Sequence, residues 1–200
     1  MPMFRHFTLF ALLGSAGALV AQQPASGIGL KGGPQLTTWR SAASAFRPVP
    51  GFLGGVYGPL GVGNRIELQP ELLLSYQGAT QKVAEGRTLA FRALNLHFPV
   101  VAKFFLDHTF NLQAGAFGAF AVMATADGKD AVDRMQTTEM GLLAGIGLDG
   151  KSGFDITLRY CGGMTELLKQ DDALYPTSRA VQLTCGYRFV QFGSSRSRHR

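Results

Sequence analysis

The sequence predicts an all-β protein, an eight-stranded antiparallel up-and-down transmembrane barrel, and three observations carry that prediction. From Ser26 to Phe189 apolar and polar residues alternate in eight successive segments, the two-residue period of strands with unlike faces. The connections alternate between a few residues and roughly a dozen, as when strands cross a bilayer with tight turns on the side of entry and free loops on the far side. Residue size then assigns the faces: Leu, Phe, Ile and Val fill one, while Gly and Ala are strewn over the other. A soluble barrel with an apolar interior would turn those glycines to water, where they only weaken strands; a crowded lumen needs them.

A targeting segment comes before the strands. Arg5 and His6 lead into the apolar run Phe7 to Val20, and small residues follow, which is the layout of a secretory signal peptide. Cleavage after Ala21 makes 1–21 the signal peptide, with Ala16-Gly17-Ala18 as a second small-residue site. The run is shorter than the roughly 20 residues of a spanning helix, and Gly14 and Gly17 interrupt it. No other apolar stretch approaches that length, so a mature chain in a membrane must close its backbone hydrogen bonds between strands. The barrel domain takes 22–192, and 193–200 form a basic Ser/Arg tail. Much of the net charge of +6 lies in Arg5 and in the tail arginines Arg196, Arg198 and Arg200, so the barrel body is close to neutral. It offers no basic face, and nucleic acid is not expected as a partner.

The first two strands are rich in glycine. Ile28, Leu30 and Gly32 oppose Gly29, Lys31 and Gly33, and the second runs from Phe52 to Val62. In the third, Ile66, Leu68, Leu72, Leu74 and Tyr76 alternate with Glu67, Gln69, Glu71, Ser75 and Gln77, and a loop from Gly78 to Thr88 follows. The fourth sets Leu94, Leu96, Phe98, Val100, Ala102 and Phe104 against Asn95, His97 and Lys103. After the turn Asp107-His108-Thr109, the fifth sets Phe110, Leu112, Phe120 and Val122 against Asn111, Gln113, Gly115, Ala119 and Ala121. A polar loop from Thr125 to Gln136 precedes the sixth, with Met140, Leu142, Ala144, Ile146 and Leu148 outward and Glu139, Gly141, Gly145 and Gly147 inward. Asp149 to Gly153 is rich in residues that tolerate positive φ and closes a hairpin. The seventh alternates Phe154, Ile156, Leu158 and Tyr160 with Asp155, Thr157, Arg159 and Cys161, and the eighth Val181, Leu183, Cys185, Tyr187 and Phe189 with Gln182, Thr184 and Arg188.

This parity has consequences. Cys161 faces the lumen and Cys185 the lipid, so the two thiols cannot meet as a disulfide requires. Phe104, Phe110, Phe154 and Phe189 lie beside the short turns as an aromatic girdle. Pro70 and Pro99 each remove a ladder donor inside a closed sheet, and a bulge or bend is expected at each. The lumen collects Lys31, Lys103, Arg159 and Arg188 against Glu67, Glu71, Glu139 and Asp155, four charges against four. Glu71 falls near the depth of Lys103 on the adjacent strand and of Arg159 across the lumen, as their expected shared acceptor. So narrow an interior must compensate its charges.

The strands Leu68 to Ser75, Leu96 to Phe104, Gly141 to Gly147, Leu158-Arg159-Tyr160 and Gly186 to Phe189, with Gly29 to Gly33, resemble the PorT-like outer-membrane β-barrel proteins of Gram-negative bacteria. The resemblance spans nearly the whole mature chain. It implies export and location in the outer membrane, with the lipids of that membrane and the barrel-insertion machinery as partners. Some members of the family are associated with secretion across it. The family's insertion signal is the aromatic closing the last strand, which implies that role for Gly186, Tyr187 and Phe189, although eleven residues follow Phe189 here.

Catalytic patterns are sparse. Gly27 to Gly32 fits G-x-G-x-x-G but opens a strand rather than joining strand to helix, so no dinucleotide cofactor is expected. The mature chain has no G-x-S-x-G elbow. His97, His108 and His199 have no partner at metal-ligand spacing, so no metal is expected. His97 near Ser75 could imitate an outer-membrane lipid hydrolase or acyltransferase, but a lumen histidine in a polar plug is the stronger reading. About eight strands leave an interior that side chains fill, which disfavours a wide pore and leaves a small-solute channel as the other alternative. A non-enzymatic role through the outer loops is expected, whether as an interaction, structural or secretion-associated component. Trp39 to Pro50, with Trp39 and Phe46 foremost, and Thr165 to Ser178 are the contact candidates for a protein partner.

Deleting 193–200 should leave membrane assembly intact, whereas Phe189→Ala should lower the fraction of barrel reaching the outer membrane. Fractionation of cells expressing each variant tests this, and the opposite pattern would place the signal in the tail.

Overall fold

The wall of the barrel is one continuous ladder. The computed structural model describes residues 26–41, 45–82, 87–131, 136–167 and 176–192; the signal peptide and the tail lie outside them. The strands are β1 (Ser26–Arg40), β2 (Phe46–Arg47), β3 (Val49–Tyr57), β4 (Leu60–Val62), β5 (Ile66–Lys82), β6 (Thr88–Phe105), β7 (Phe110–Ala126), β8 (Lys129–Asp130), β9 (Thr138–Asp149), β10 (Phe154–Gly163) and β11 (Thr177–Phe192). Eight of them form the ring β1-β3-β5-β6-β7-β9-β10-β11, every neighbour antiparallel, and pairing of β1 with β11 closes it. Closure matters because a bilayer offers no water to satisfy an open edge.

The faces are as the alternation predicts. Leu30, Leu36, Phe52, Leu74, Leu142, Ile156 and Leu183 stand exposed on the outside, while Lys31, Gln35, Glu67, Gln69, Lys103 and Arg159 are buried within. The two cysteines are free, Cys161 buried and Cys185 exposed. The short turns and both ends of the described chain share one rim, the periplasmic one. There the Asp107 carboxylate accepts the N–H groups of Phe110 at 2.6 Å and Thr109 at 2.7 Å and closes the turn between β6 and β7. These two hydrogen bonds hold its pKa below the ordinary carboxylate value.

Four expectations need correction. The second strand is not continuous from Phe52 to Val62: it breaks after Tyr57, and β4 forms a separate pairing with β5. Most of the segment from Gly78 to Thr88 is hairpin, since β5 and β6 stay paired out to Lys82 and Thr88. The polar segment after β7 also begins as a hairpin, with Asp127 and Gly128 both at positive φ and β8 folded back on β7. Finally, neither Pro70 nor Pro99 sits at a bulge. The β5–β6 ladder lacks pairs between Pro70↔Val100 and Leu73↔His97 yet resumes in the same register. Pro70 also falls where β3 gives way to β4, and its carbonyl accepts the Gly58 N–H at 3.0 Å. The prolines occupy gaps where no donor is required. The bulges lie instead at Ile28/Gly29 and Leu94/Asn95, the first leaving Phe189 as the extra residue of β11.

The glycines opposite large inward residues give them space. Gly186 pairs with Asp155, and a Cβ there would lie 2.3 Å from the Asp155 carboxylate. Gly29 bears the same relation to the Tyr57 ring, Gly141 to Phe117 and Gly145 to Arg159. Gly186→Leu should therefore lower the temperature at which the folded barrel loses its anomalous gel mobility in detergent, by more than Cys185→Leu one position away on the lipid face. Equal temperatures for the two variants would mean the lumen has slack at this point.

Candidate functional site

The lumen is filled in layers, and the lower half is one connected ionic network. At the periplasmic end the register sets Glu67 directly opposite Lys103 on β6. Lys103 Nζ lies 3.3 Å from Glu67 and donates to Asp149 Oδ2 at 3.0 Å. Arg188 Nη2 reaches Glu67 Oε2 at 3.2 Å and lies 3.8 Å from Asp149. Asn111 donates to Asp149 at 2.8 Å, Gln113 to Asn111 at 2.8 Å, and Arg159 Nε to Gln113 at 2.8 Å. All but the Gln113–Asn111 bond, which runs along β7, join different strands.

Above this, Glu71 is held from three sides. Arg159 donates to both its oxygens, at 2.7 and 2.8 Å, the bidentate fork that makes arginine–carboxylate pairs strong. Lys31 donates at 3.0 Å, reaching across Gly55 of the intervening strand, and Gln69 donates as well. Lys31 Nζ also lies 4.8 Å from the centre of the Tyr57 ring, whose hydroxyl donates to Asp155 at 2.7 Å.

The expectation for Glu71 is therefore half corrected. Arg159 is its partner, but Lys103 is not: the direct Glu67↔Lys103 pairing places Lys103 four positions along β5 from Glu71. Membership also changes. The lower lumen sets Lys31, Lys103, Arg159 and Arg188 against Glu67, Glu71, Asp149 and Asp155, while Glu139 lies apart near the outer end, accepting the Ser178 hydroxyl. Asp149 is the residue that sequence reasoning missed, because it falls where strand and turn composition meet. Parity marks it inward all the same.

Over the ionic half lies an apolar layer of Val101, Phe117, Ala119, Leu143, Cys161 and Ala180. His97 stacks on Phe117 at 5.4 Å, its Nε2 without a hydrogen-bond partner, and the Ser75 hydroxyl instead receives Gln35 at 2.7 Å. The outer end is capped by Trp39, Ala79, Ala93, Ala124 and Leu167, with the Phe46 and Phe91 rings against Trp39 at 5.4 and 4.7 Å. Trp39, expected to be an outer-loop contact, is a buried strand residue. Phe46, its companion, is half-buried against it. Tyr187 and Phe189 of the expected insertion signal face outward at the periplasmic rim, with the Tyr187 ring 4.6 Å from that of Phe154, while Gly186 faces inward.

Removing the Glu71 charge strands two cations. Breaking a buried pair from one side costs on the order of 3 to 5 kcal/mol, less where water reaches it. Glu71→Gln should lower the temperature at which gel mobility changes, Lys31→Met added to it should restore part of the loss, and Lys103→Met should restore none. Rescue by Lys103→Met in place of Lys31→Met would refute the pairing.

Residues 20–169 match the family described as the outer membrane protein beta-barrel domain. No curated protein matches the chain in sequence. Among solved structures, Neisserial surface protein A (NspA) is similar at 15% identity with a TM-score of 0.55, covering 84% of this chain and 100% of that one. The outer membrane protein OprG from Pseudomonas aeruginosa is similar at 9% identity with a TM-score of 0.50, covering 86% and 98%. Those likenesses speak to fold alone. The family match extends over three quarters of the chain, and with a closed ring, an apolar exterior and a polar core it places the protein in the outer membrane: the chain belongs to the outer membrane protein β-barrel domain family.

Proposed function

We propose that the protein is a non-conducting, non-enzymatic barrel of the PorT-like type that acts through its outer end, as an interaction or secretion-associated component of the outer membrane. The observation carrying this reading is the filled lumen: a connected ionic network below, an apolar layer above it and an aromatic cap at the outer mouth. A solute would have to displace paired charges and then apolar side chains, both costly steps. A hydrolase built on His97 and Ser75 needs a bond between them, and His97 Nε2 makes none while Ser75 is engaged by Gln35. The narrower, PorT-like part of this reading rests on the sequence resemblance, whose residues lie on β1, β5, β6, β9, β10 and β11. With Trp39 turned inward, the exposed outer residues among those described include Arg40, Arg47, Arg87, Asp127, Lys129 and Glu166, and residues 168–175 of the second contact candidate lie outside the described residues.

Reconstituted into planar bilayers, the wild-type barrel should show no steady conductance, and Arg159→Ala combined with Lys31→Ala should show more current than wild type. Steady wild-type current would sink the plugged reading in favour of a small-solute channel. Affinity capture from native membranes through a tag on the mature chain should return one protein in stoichiometric amount when the outer loops are intact, and lose it with Arg40→Glu and Arg47→Glu.

A further inference from the structure

Glu139 is the acid that the lumen network leaves out. It is 4% exposed, and among the described residues no cation lies within ion-pair distance of it. Ser178 donates to Oε1 and the Gln77 amide stands beside the carboxylate, while Oε2 is buried without a hydrogen-bond partner. Arg179, which could have served, gives Nη1 to the carbonyls of Gly163 and Ser178 at 2.8 and 2.7 Å. On β6, Asn95 is 5% exposed and its Oδ1 is likewise unpartnered.

Both orphan acceptors line one cavity. Its floor is Ala119 and Ala121 of β7, and Trp39 and Leu167 of the aromatic cap bound it above. The register explains the arrangement. Asn95 pairs with Ala121 and Glu139 with Ala119, so the acceptors stand on strands flanking β7, offset by two residues along it, with the two alanine methyl groups beneath them. Strands two apart in a sheet are separated by about 10 Å, and the two-residue offset adds about 7 Å along the strand, so the two backbones lie about 12 Å apart. Side chains the length of Asn and Glu, reaching toward each other over alanine, leave a gap that one small group fills.

What fits must donate on both sides, and a positive charge there gives Glu139 the direct ion pair that Arg179, which acts on it only through space, does not. A water molecule could bridge the oxygens but cannot neutralise a buried carboxylate. Calcium requires six to eight oxygen ligands and magnesium near-ideal octahedral geometry, and the described residues hold no group of three His, Cys, Asp or Glu. An ammonium has three donors in a compact head and suits a carboxylate beside an aromatic face. We propose that this cavity binds the primary ammonium group of a small amine, which donates to Glu139 Oε2 and Asn95 Oδ1 beneath Trp39. This does not rest on the outer-end partner proposed above, since every group involved lies inside the barrel.

Trp39 is the one tryptophan of the chain, so its fluorescence reports on the cavity directly. Methylammonium chloride titrated into the refolded mature barrel in detergent should change that fluorescence saturably, and sodium chloride at equal concentration should not. Glu139→Gln, checked for folding by its heat-dependent gel mobility, should weaken the apparent affinity at least about ten-fold, the scale of one charge-assisted contact. Asn95→Leu should weaken it by a smaller factor, and supplies the comparison if Glu139→Gln does not fold. No saturable change, an equal response to sodium, or unaltered affinity in the folded variant would each overturn the proposal.

Discussion

The structure turns on the narrowness of its lumen. Eight strands enclose a space that side chains must fill, and in a membrane nothing but those side chains can satisfy what points inward. Volume and charge are therefore constrained together. The volume constraint is met pairwise across neighbouring strands: Tyr57 against Gly29, Phe117 against Gly141, Arg159 against Gly145, Asp155 against Gly186. A glycine in a strand interior weakens the ladder in isolation. Here each one is the space into which a neighbour's side chain fits, so the glycine content of the inner face is set by the size of the polar groups the barrel holds.

Charge is arranged by register. Glu67 meets Lys103 because they are directly opposite, and Glu71 meets Lys31 because Gly55 lets a lysine pass over the strand between them. A buried ion pair is weak ground for net stability, since an apolar replacement of equal volume often does as well or better. Its stronger consequence is specificity. Slipping any strand by one residue would put the network's charges into lipid, a penalty that grows with every strand the network joins. The chain from Arg188 through Glu67, Lys103, Asp149, Asn111, Gln113 and Arg159 to Glu71 touches most of the wall. It acts on the registers together rather than one pair at a time.

This explains which features could be read from the sequence. Inward and outward faces, the strand count and the separation of Cys161 from Cys185 follow from a period of two, which survives any uncertainty about where strands end. Partners within the lumen need relative register, and that is fixed by turns and gaps that alternation does not encode. Glu71 was thus legible as a shared acceptor, but one of its two cations was not. The outer end was misread for a different reason: Trp39, Ala79 and Ala93 face inward as an apolar cluster, so the polar-inside rule stops holding there and strand looks like loop. Pro34 behaves as Pro70 and Pro99 do, lying in a gap of the β1–β11 ladder that resumes in register at Gln35.

The two ends of the lumen are consequently unlike in chemical terms. Toward the periplasm, carboxylates and cations balance within hydrogen-bonding distance, and any entering ion would have to break an existing pair. Toward the outside, the seal is aromatic and apolar, and one carboxylate beneath it retains an uncommitted oxygen. An apolar seal resists water and ions through packing rather than through ion pairs, so it holds by a different force from the network below. The barrel thus sets saturated electrostatics at its periplasmic half against a carboxylate with an uncommitted oxygen under an apolar lid at its outer half.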